Sequence, residues 1–181
     1  MRRMRETLVF GLCLALLFCY AGGAEAGEAV AVGGPAVVTL DFRINFPPIL
    51  YLQVGSASVT VDLVTFDVAN IPGSGPVAQT PATPVPVRVA ALVGANTAVA
   101  LTADSSTALS NGPNTIPFSE ISWTGAGSFA GNTFSGTNNQ LLDTFVGPGN
   151  RTGTYSFRYA NNNYYSAGTY NGTVTYTLSV L

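Results

Sequence analysis

Apolar and polar positions alternate along much of this chain, most cleanly over residues 168–181, GTYNGTVTYTLSVL. Tyr170, Val174, Tyr176, Leu178 and Val180 share one parity; Asn171, Thr173, Thr175, Thr177 and Ser179 share the other. Successive side chains of a strand point to opposite faces, so the pattern predicts one apolar face and one hydroxyl-bearing face. β-Branched threonine keeps strand propensity while facing water. An apolar face of that size requires a second sheet to pack against.

Residues 36–46 alternate in the same way. Val38, Leu40, Phe42, Ile44 and Phe46 fall on one side, and Thr39, Asp41, Arg43 and Asn45 on the other. They predict a half-buried strand, which Pro47-Pro48 stops by removing two donors. Residues 49–54 predict a short strand with a turn at Gly55-Ser56. Over residues 58–68, Val59, Val61 and Leu63 share one parity while Phe66 and Val68 share the other. Such a shift predicts a bulge, or a strand that changes sheets. Residues 70–84 hold four prolines and predict an exposed crossover loop.

Further strands are expected from Val85, Val87 and Val89 and from Val99 and Leu101. Ile116, Phe118, Ile121 and Trp123 predict another, broken in parity near Ser119-Glu120. Residues 105–114 read as a polar loop. Phe129 and Phe134 read as isolated anchors in a Gly/Ser/Thr/Asn-rich stretch. Leu141, Leu142, Phe145 and Val146 fit a helical turn or an irregular edge. Tyr155, Phe157 and Tyr159 align on a strand that precedes an aromatic-rich turn. No stretch of helical length carries a 3.6-residue stripe. The expected fold is all-β, a sandwich of roughly seven to nine antiparallel strands. A small closed barrel is the structural alternative.

The first residues read as a leader rather than as part of the fold. Arg2, Arg3 and Arg5 precede an apolar run over residues 8–20, and Ala24-Glu25-Ala26 offers a cleavage site. This predicts a signal peptide, helical over roughly residues 4–22, removed after Ala26. Residues 27–35 then form a flexible N-terminal extension, and residues 36–181 a single domain. The expected compartment is the periplasm in transit, then the cell surface or the exterior, with no transmembrane segment in the mature chain. Both cysteines, Cys13 and Cys19, lie in the leader, so the mature chain relies on packing and sheet hydrogen bonds without disulfides.

Beyond the leader there are four arginines, no lysine and no histidine, against seven acids, a net charge of -3. That surface has no basic patch for nucleic acid or anionic lipid. Without His or Cys, Ser-His and Cys-His nucleophile arrangements and most metal sites are excluded. Asp62, Asp67, Asp104, Glu120 and Asp143 read as solvated turn and strand-end acids rather than a facing glycosidase pair. No cofactor and no enzymatic activity are expected. Trp123, Tyr164 and Tyr165, with Tyr170, form a candidate aromatic platform for a sugar, against the plainer reading that they fill the end of a core. Arg158 is expected to pair with an acid on a neighbouring strand.

The closing stretch resembles that of secreted bacterial pilin-like subunits of the spore-coat-U-like and archaic chaperone–usher type. Ala167, Gly168, Thr169, Tyr170, Thr173, Val174 and Thr177 match its A-G-T-Y-x-x-T-V-x-V-T pattern. Many members carry cysteines in the mature domain, and this chain has none. The resemblance implies an incomplete immunoglobulin-like sandwich. Its open groove is filled first by a periplasmic chaperone, at an outer-membrane usher, and then by the leading segment of another subunit. The implied donor is residues 28–38, with Val30, Val32, Ala36 and Val38 on one parity. The implied groove-bordering strand carries Tyr170, Val174, Tyr176, Leu178 and Val180. The function expected is a self-associating structural subunit of a pilus-like surface polymer. The alternative is a self-contained secreted β-sandwich that binds a carbohydrate or protein ligand.

Overall fold

The computed structural model describes residues 28–58 and 61–181. The leader and its expected helix lie outside the described residues, as does Val59. The chain divides into two units, Met1–Asn45 and Phe46–Leu181.

The described residues of the first unit, 28–45, contain no strand and no helix. The strand expected over residues 36–46 is therefore not formed. Val38, Leu40, Phe42, Ile44 and Phe46 are all exposed, Phe42 at 86%. The alternation that specifies two faces is real, but a strand exists only against a neighbour that takes its hydrogen bonds. Among the described residues no such neighbour pairs with it.

The second unit is all-β. Its strands are β1 (Ile49–Val54), β2 (Val77–Ala78), β3 (Val85–Leu92), β4 (Ala98–Asp104), β5 (Leu109–Asn111) and β6 (Asn114–Ile116), followed by β7 (Ile121–Gly127), β8 (Asn132–Thr133), β9 (Gln140–Val146), β10 (Gly149–Tyr159) and β11 (Thr175–Val180). The larger sheet runs β1-β3-β10-β7-β8, with β2 added to β10. The smaller runs β11-β4-β9, and β5 and β6 form a separate hairpin. All pairings are antiparallel.

The core forms where the two sheets face each other. Val87 and Val89 of β3, Trp123 of β7, and Tyr155 and Phe157 of β10 meet Leu101 and Ala103 of β4. The register Phe157↔Trp123 sets two aromatic rings side by side on the inner face. Antiparallel partners directly opposite each other share a face, which is why period-two patterns on β3 and β10 converge. Phe129 and Phe134, the isolated anchors, are both buried in this cluster.

The parity break near Ser119-Glu120 is a one-turn 3-10 helix, Phe118–Glu120. Glu120 N–H donates to the Pro117 carbonyl at 3.1 Å. The turn lets Phe118 and Ile121, three apart, both reach the core. Residues 140–146 are an edge strand rather than a helical turn. A register shift opposite Leu101 and Thr102 explains why Leu142 and Phe145 both pack inward despite their spacing. The polar loop over residues 105–114 contains most of the β5–β6 hairpin. The closing strand is shorter than its alternation suggests, beginning at Thr175. Before it, the described chain makes one bridge, Asn171 to Ser110.

Residues 61–69 also differ from expectation. They carry no strand, only an isolated bridge between Thr65 and Thr80. Val61 and Leu63 are exposed, and the side chains packed against the core are Val64 and Phe66. The parity change expected before Phe66 therefore falls between Leu63 and Val64, and Val68 is about half exposed. Gly55 stands at φ +93 just before this stretch, and Asp62 accepts from the Ser56 N–H and from the Ser56 hydroxyl. Those bonds hold the Asp62 carboxyl below its usual pKa, the hydroxyl contributing most.

Candidate functional site

The second unit contains an apolar groove of about 1100 Å³. Its floor is Phe118, Ile121, Phe134, Phe157 and Tyr159, the aromatic end of the core. Two stretches border it. One is residues 61–69, with Val64 and Phe66 turned inward; the other runs from Gly168 to Val174 and on to Tyr176 of β11.

Both borders have unused backbone hydrogen-bonding groups. β11 pairs with β4 on one side, and among the described residues nothing pairs with its other side. The Leu181 N–H donates to the Ala98 carbonyl at 3.0 Å, one step beyond the pair Val180↔Val99. In an antiparallel ladder, residues alternate between facing the partner and facing away. The odd-numbered residues therefore bond to β4, and the backbone groups of Tyr176, Leu178 and Val180 point to the free margin. Thr65 exchanges both its bonds with Thr80, at 3.3 and 2.7 Å. By the same alternation, the backbone groups of Val64 and Phe66 point away from Thr80.

The sequence-expected residues fall out as follows. Val174, Tyr176 and Leu178 are partly buried against the core. Val180 is about half exposed, and Tyr170 lies before β11, where its hydroxyl donates to the Ser166 carbonyl at 2.9 Å. Val30, Val32, Ala36 and Val38 are exposed residues of the first unit. Trp123 does not belong to an aromatic platform. It is 4% exposed, its indole N–H donates to the Ala130 carbonyl at 3.2 Å, and Phe134 and Tyr155 lie against it. Tyr164 is 82% exposed, and Tyr165 meets Tyr170 edge-to-face with centroids 6.4 Å apart. Arg158 is exposed; among the described residues the ion pair is Arg151–Asp143 at 3.0 Å.

Sequence reasoning missed Val64 as a groove residue, along with the contributions of Phe118, Phe134 and Phe157 to its floor. The parity shift at Phe66 was the one local signal. The floor residues look like ordinary core residues in one dimension, and in the structure they are buried with the rest of the core.

A smaller polar recess of about 380 Å³ is lined by Asp104, Ser110, Asn171 and neighbours. Asp104 accepts from Ser106 N–H at 3.0 Å and from its hydroxyl at 2.7 Å, which lowers the carboxyl's pKa, the N–H contributing most. Among the described residues, no three His, Cys, Asp or Glu side chains gather as a metal site. Among them, too, no helix is long and apolar enough to cross a membrane.

Burial raises the inner-face tyrosines Tyr155, Tyr159 and Tyr176. Tyr155 is pushed up to about 12, by burial first and by the Asp143 charge second. Tyr176, which lines the groove, is raised by burial and then by Tyr155. The unfolded chain ionises its tyrosines near pH ~10. A raised folded pKa contributes stability below that value, and the contribution is lost as pH rises through the folded one. Alkaline unfolding is expected to set in above about pH 10, and a phenolate absorbance titration should show a late-titrating class released with loss of circular dichroism. Titration of every tyrosine near the free value in a folded chain would contradict this packing.

No family model, curated protein or solved structure matches this chain.

Proposed function

We propose that this chain is a structural subunit of an exported, pilus-like surface polymer, joined copy to copy by β-strand complementation. The observation that carries the reading is the apolar groove beside the free margin of β11. The groove is lined largely by apolar side chains, a surface suited to a docking partner. An added strand satisfies the margin with main-chain bonds and covers the floor with alternate side chains. The exposed, alternating leading segment is the matching part, and it belongs to a different unit of the chain. A segment of one copy entering a groove of the next is a heterologous contact, which builds open chains rather than closed dimers.

On this reading the domain is an immunoglobulin-like sandwich that lacks one strand of its smaller sheet. Before assembly the groove needs a temporary occupant, a role that fits a periplasmic chaperone working with an outer-membrane usher. The absence of lysine and the low charge beyond the leader suit a surface that touches many copies of itself.

The exported chain is expected to give a ladder of multimers on sizing. Deletion of residues 28–46 should leave monomers whose far-ultraviolet dichroism remains that of a sheet protein. A full-length exported chain that stays monomeric at all concentrations, with and without its helpers, would refute the proposal.

A further inference from the structure

We propose that the loop joining β10 to β11 carries a binding site for a neutral saccharide, built from Asn163, Tyr164, Tyr165 and Glu120. The site is independent of the polymer reading above. None of the four residues lines the apolar groove, and none belongs to β11 or to the leading segment.

The tyrosine-rich turn is anchored at its base. The Ala160 N–H donates to the Glu120 carbonyl at 2.8 Å, and the Gly73 N–H donates to the Asn161 carbonyl at 2.8 Å. Asn161 is 2% exposed, and its amide donates to the Ile71 carbonyl at 3.3 Å. Its φ of 52 is a left-handed conformation that asparagine tolerates, placed just after β10 ends. Farther along, the Tyr170 hydroxyl donates to the Ser166 carbonyl, and the bridge from Asn171 to Ser110 leads the chain on to β11. The loop is thus ordered before any ligand arrives, which spares a ligand the cost of ordering it.

A single exposed ring needs no explanation. Tyr164 is singled out by its company. Asn163, immediately before it, donates its amide to Glu120 Oε1. Tyr165, immediately after it, meets Tyr170 edge-to-face. Burial first, and then the Glu120 charge, raise the Tyr165 phenol, so Tyr165 and Glu120 are neighbours. Glu120 itself is held by the 3-10 turn through its N–H bond to Pro117. Its carboxylate has no cation against it; among the described residues the ion pair is Arg151–Asp143. A carboxylate offers about four acceptor sites, so sites remain beyond those facing Asn163 and Tyr165.

This set matches the chemistry of a pyranose. The C–H face of the sugar packs on an aromatic ring, and its hydroxyls donate to a carboxylate and accept from an amide. Hydrogen bonds to a charged acceptor are the stronger kind. A few placed polar groups beside an apolar platform are the usual make-up of a small-ligand site. The uncompensated Glu120 charge repels an acidic sugar, which selects the neutral class. The ring that serves is Tyr164 and not Trp123, because the indole is already enclosed between the sheets.

The experiment uses the exported chain on an array of glycans ending in glucose, galactose, mannose or N-acetylglucosamine, beside sialylated and sulfated ones. The strongest neutral hit is then titrated in solution as its methyl glycoside. Binding to at least one neutral glycan is expected. Tyr164→Ala should weaken it at least tenfold and Glu120→Gln at least fivefold, whereas Tyr164→Phe, which keeps the ring, should stay within twofold. Tyr51→Ala removes another exposed ring, on β1, and should leave binding within twofold. Unchanged dichroism of each variant shows that the loss is not one of folding. No binding to any neutral glycan, or full binding by Tyr164→Ala, would overturn the site. Equal losses with Tyr51→Ala would reduce it to unspecific adhesion of exposed rings, and full binding by Glu120→Gln would remove the carboxylate's part. Binding confined to sialylated or sulfated glycans would overturn the neutral class.

Discussion

Replacing Trp123 by alanine is expected to cost about 3–5 kcal/mol of domain stability. The indole is buried within 4.7 Å of the Phe134 centroid, 5.4 Å of Tyr155 and 6.2 Å of Phe157. Removing it opens a cavity between the sheets and leaves the Ala130 carbonyl without its donor. Small domains hold only about 5–15 kcal/mol in total, so the variant should be largely unfolded at modest denaturant. Trp123 is the chain's one tryptophan, so the transition must be followed by dichroism rather than by its fluorescence. Trp123→Phe should lose much less. A midpoint for Trp123→Ala within experimental error of the parent would mean that the ring stands outside the core, where a ligand-stacking role would require it. The groove also depends on this residue, because Phe134 and Phe157 form its floor and pack against the indole.

The second large effect is expected at Gly153. It sits opposite Gly127 in the β10–β7 ladder, where the strands approach closely. A Cβ at Gly153 would lie 2.1 Å from the Ala126 carbonyl oxygen and 2.9 Å from the Phe129 ring. Backbone cannot yield as a flexible side chain can, so Gly153→Ala should cost about 1–3 kcal/mol or more, the range of overpacked cores. Gly136→Ala is the control. It has positive φ but nothing within 4 Å, so it should show backbone strain alone, about 1 kcal/mol. Equal midpoints for the two variants would show that β10 and β7 are not so close. The comparison also tests the groove indirectly, since Phe157 and Tyr159 reach it from the far end of β10.

Much of the fold could be read from period alone. Val87 and Val89, Val99 and Leu101, and Tyr155, Phe157 and Tyr159 were expected to share inward faces, and all are buried. The break at Ser119-Glu120 was visible as a phase error, although its form, a 3-10 turn after Pro117, was not. Residues 140–146 read ambiguously because a register shift on their partner strand lets two inward residues sit three apart. Trp123 was ambiguous for another reason: a ring on a strand looks the same whether it ends in a core or at a surface.

What the amino-acid order determined without help was the alternating faces, the turns, the low charge without histidine or lysine, and the two-faced leading segment. These are local properties, written in the spacing of a few residues. Only the tertiary structure decided which of those faces find a partner. Among the described residues it pairs one side of β11 and not the other, turns Val64 and Phe66 inward rather than Val61 and Leu63, and forms no strand over residues 36–46. The reason is that a strand's hydrogen bonds are satisfied by neighbours distant in sequence, so whether a margin is covered is a property of the assembled sheets and not of the strand.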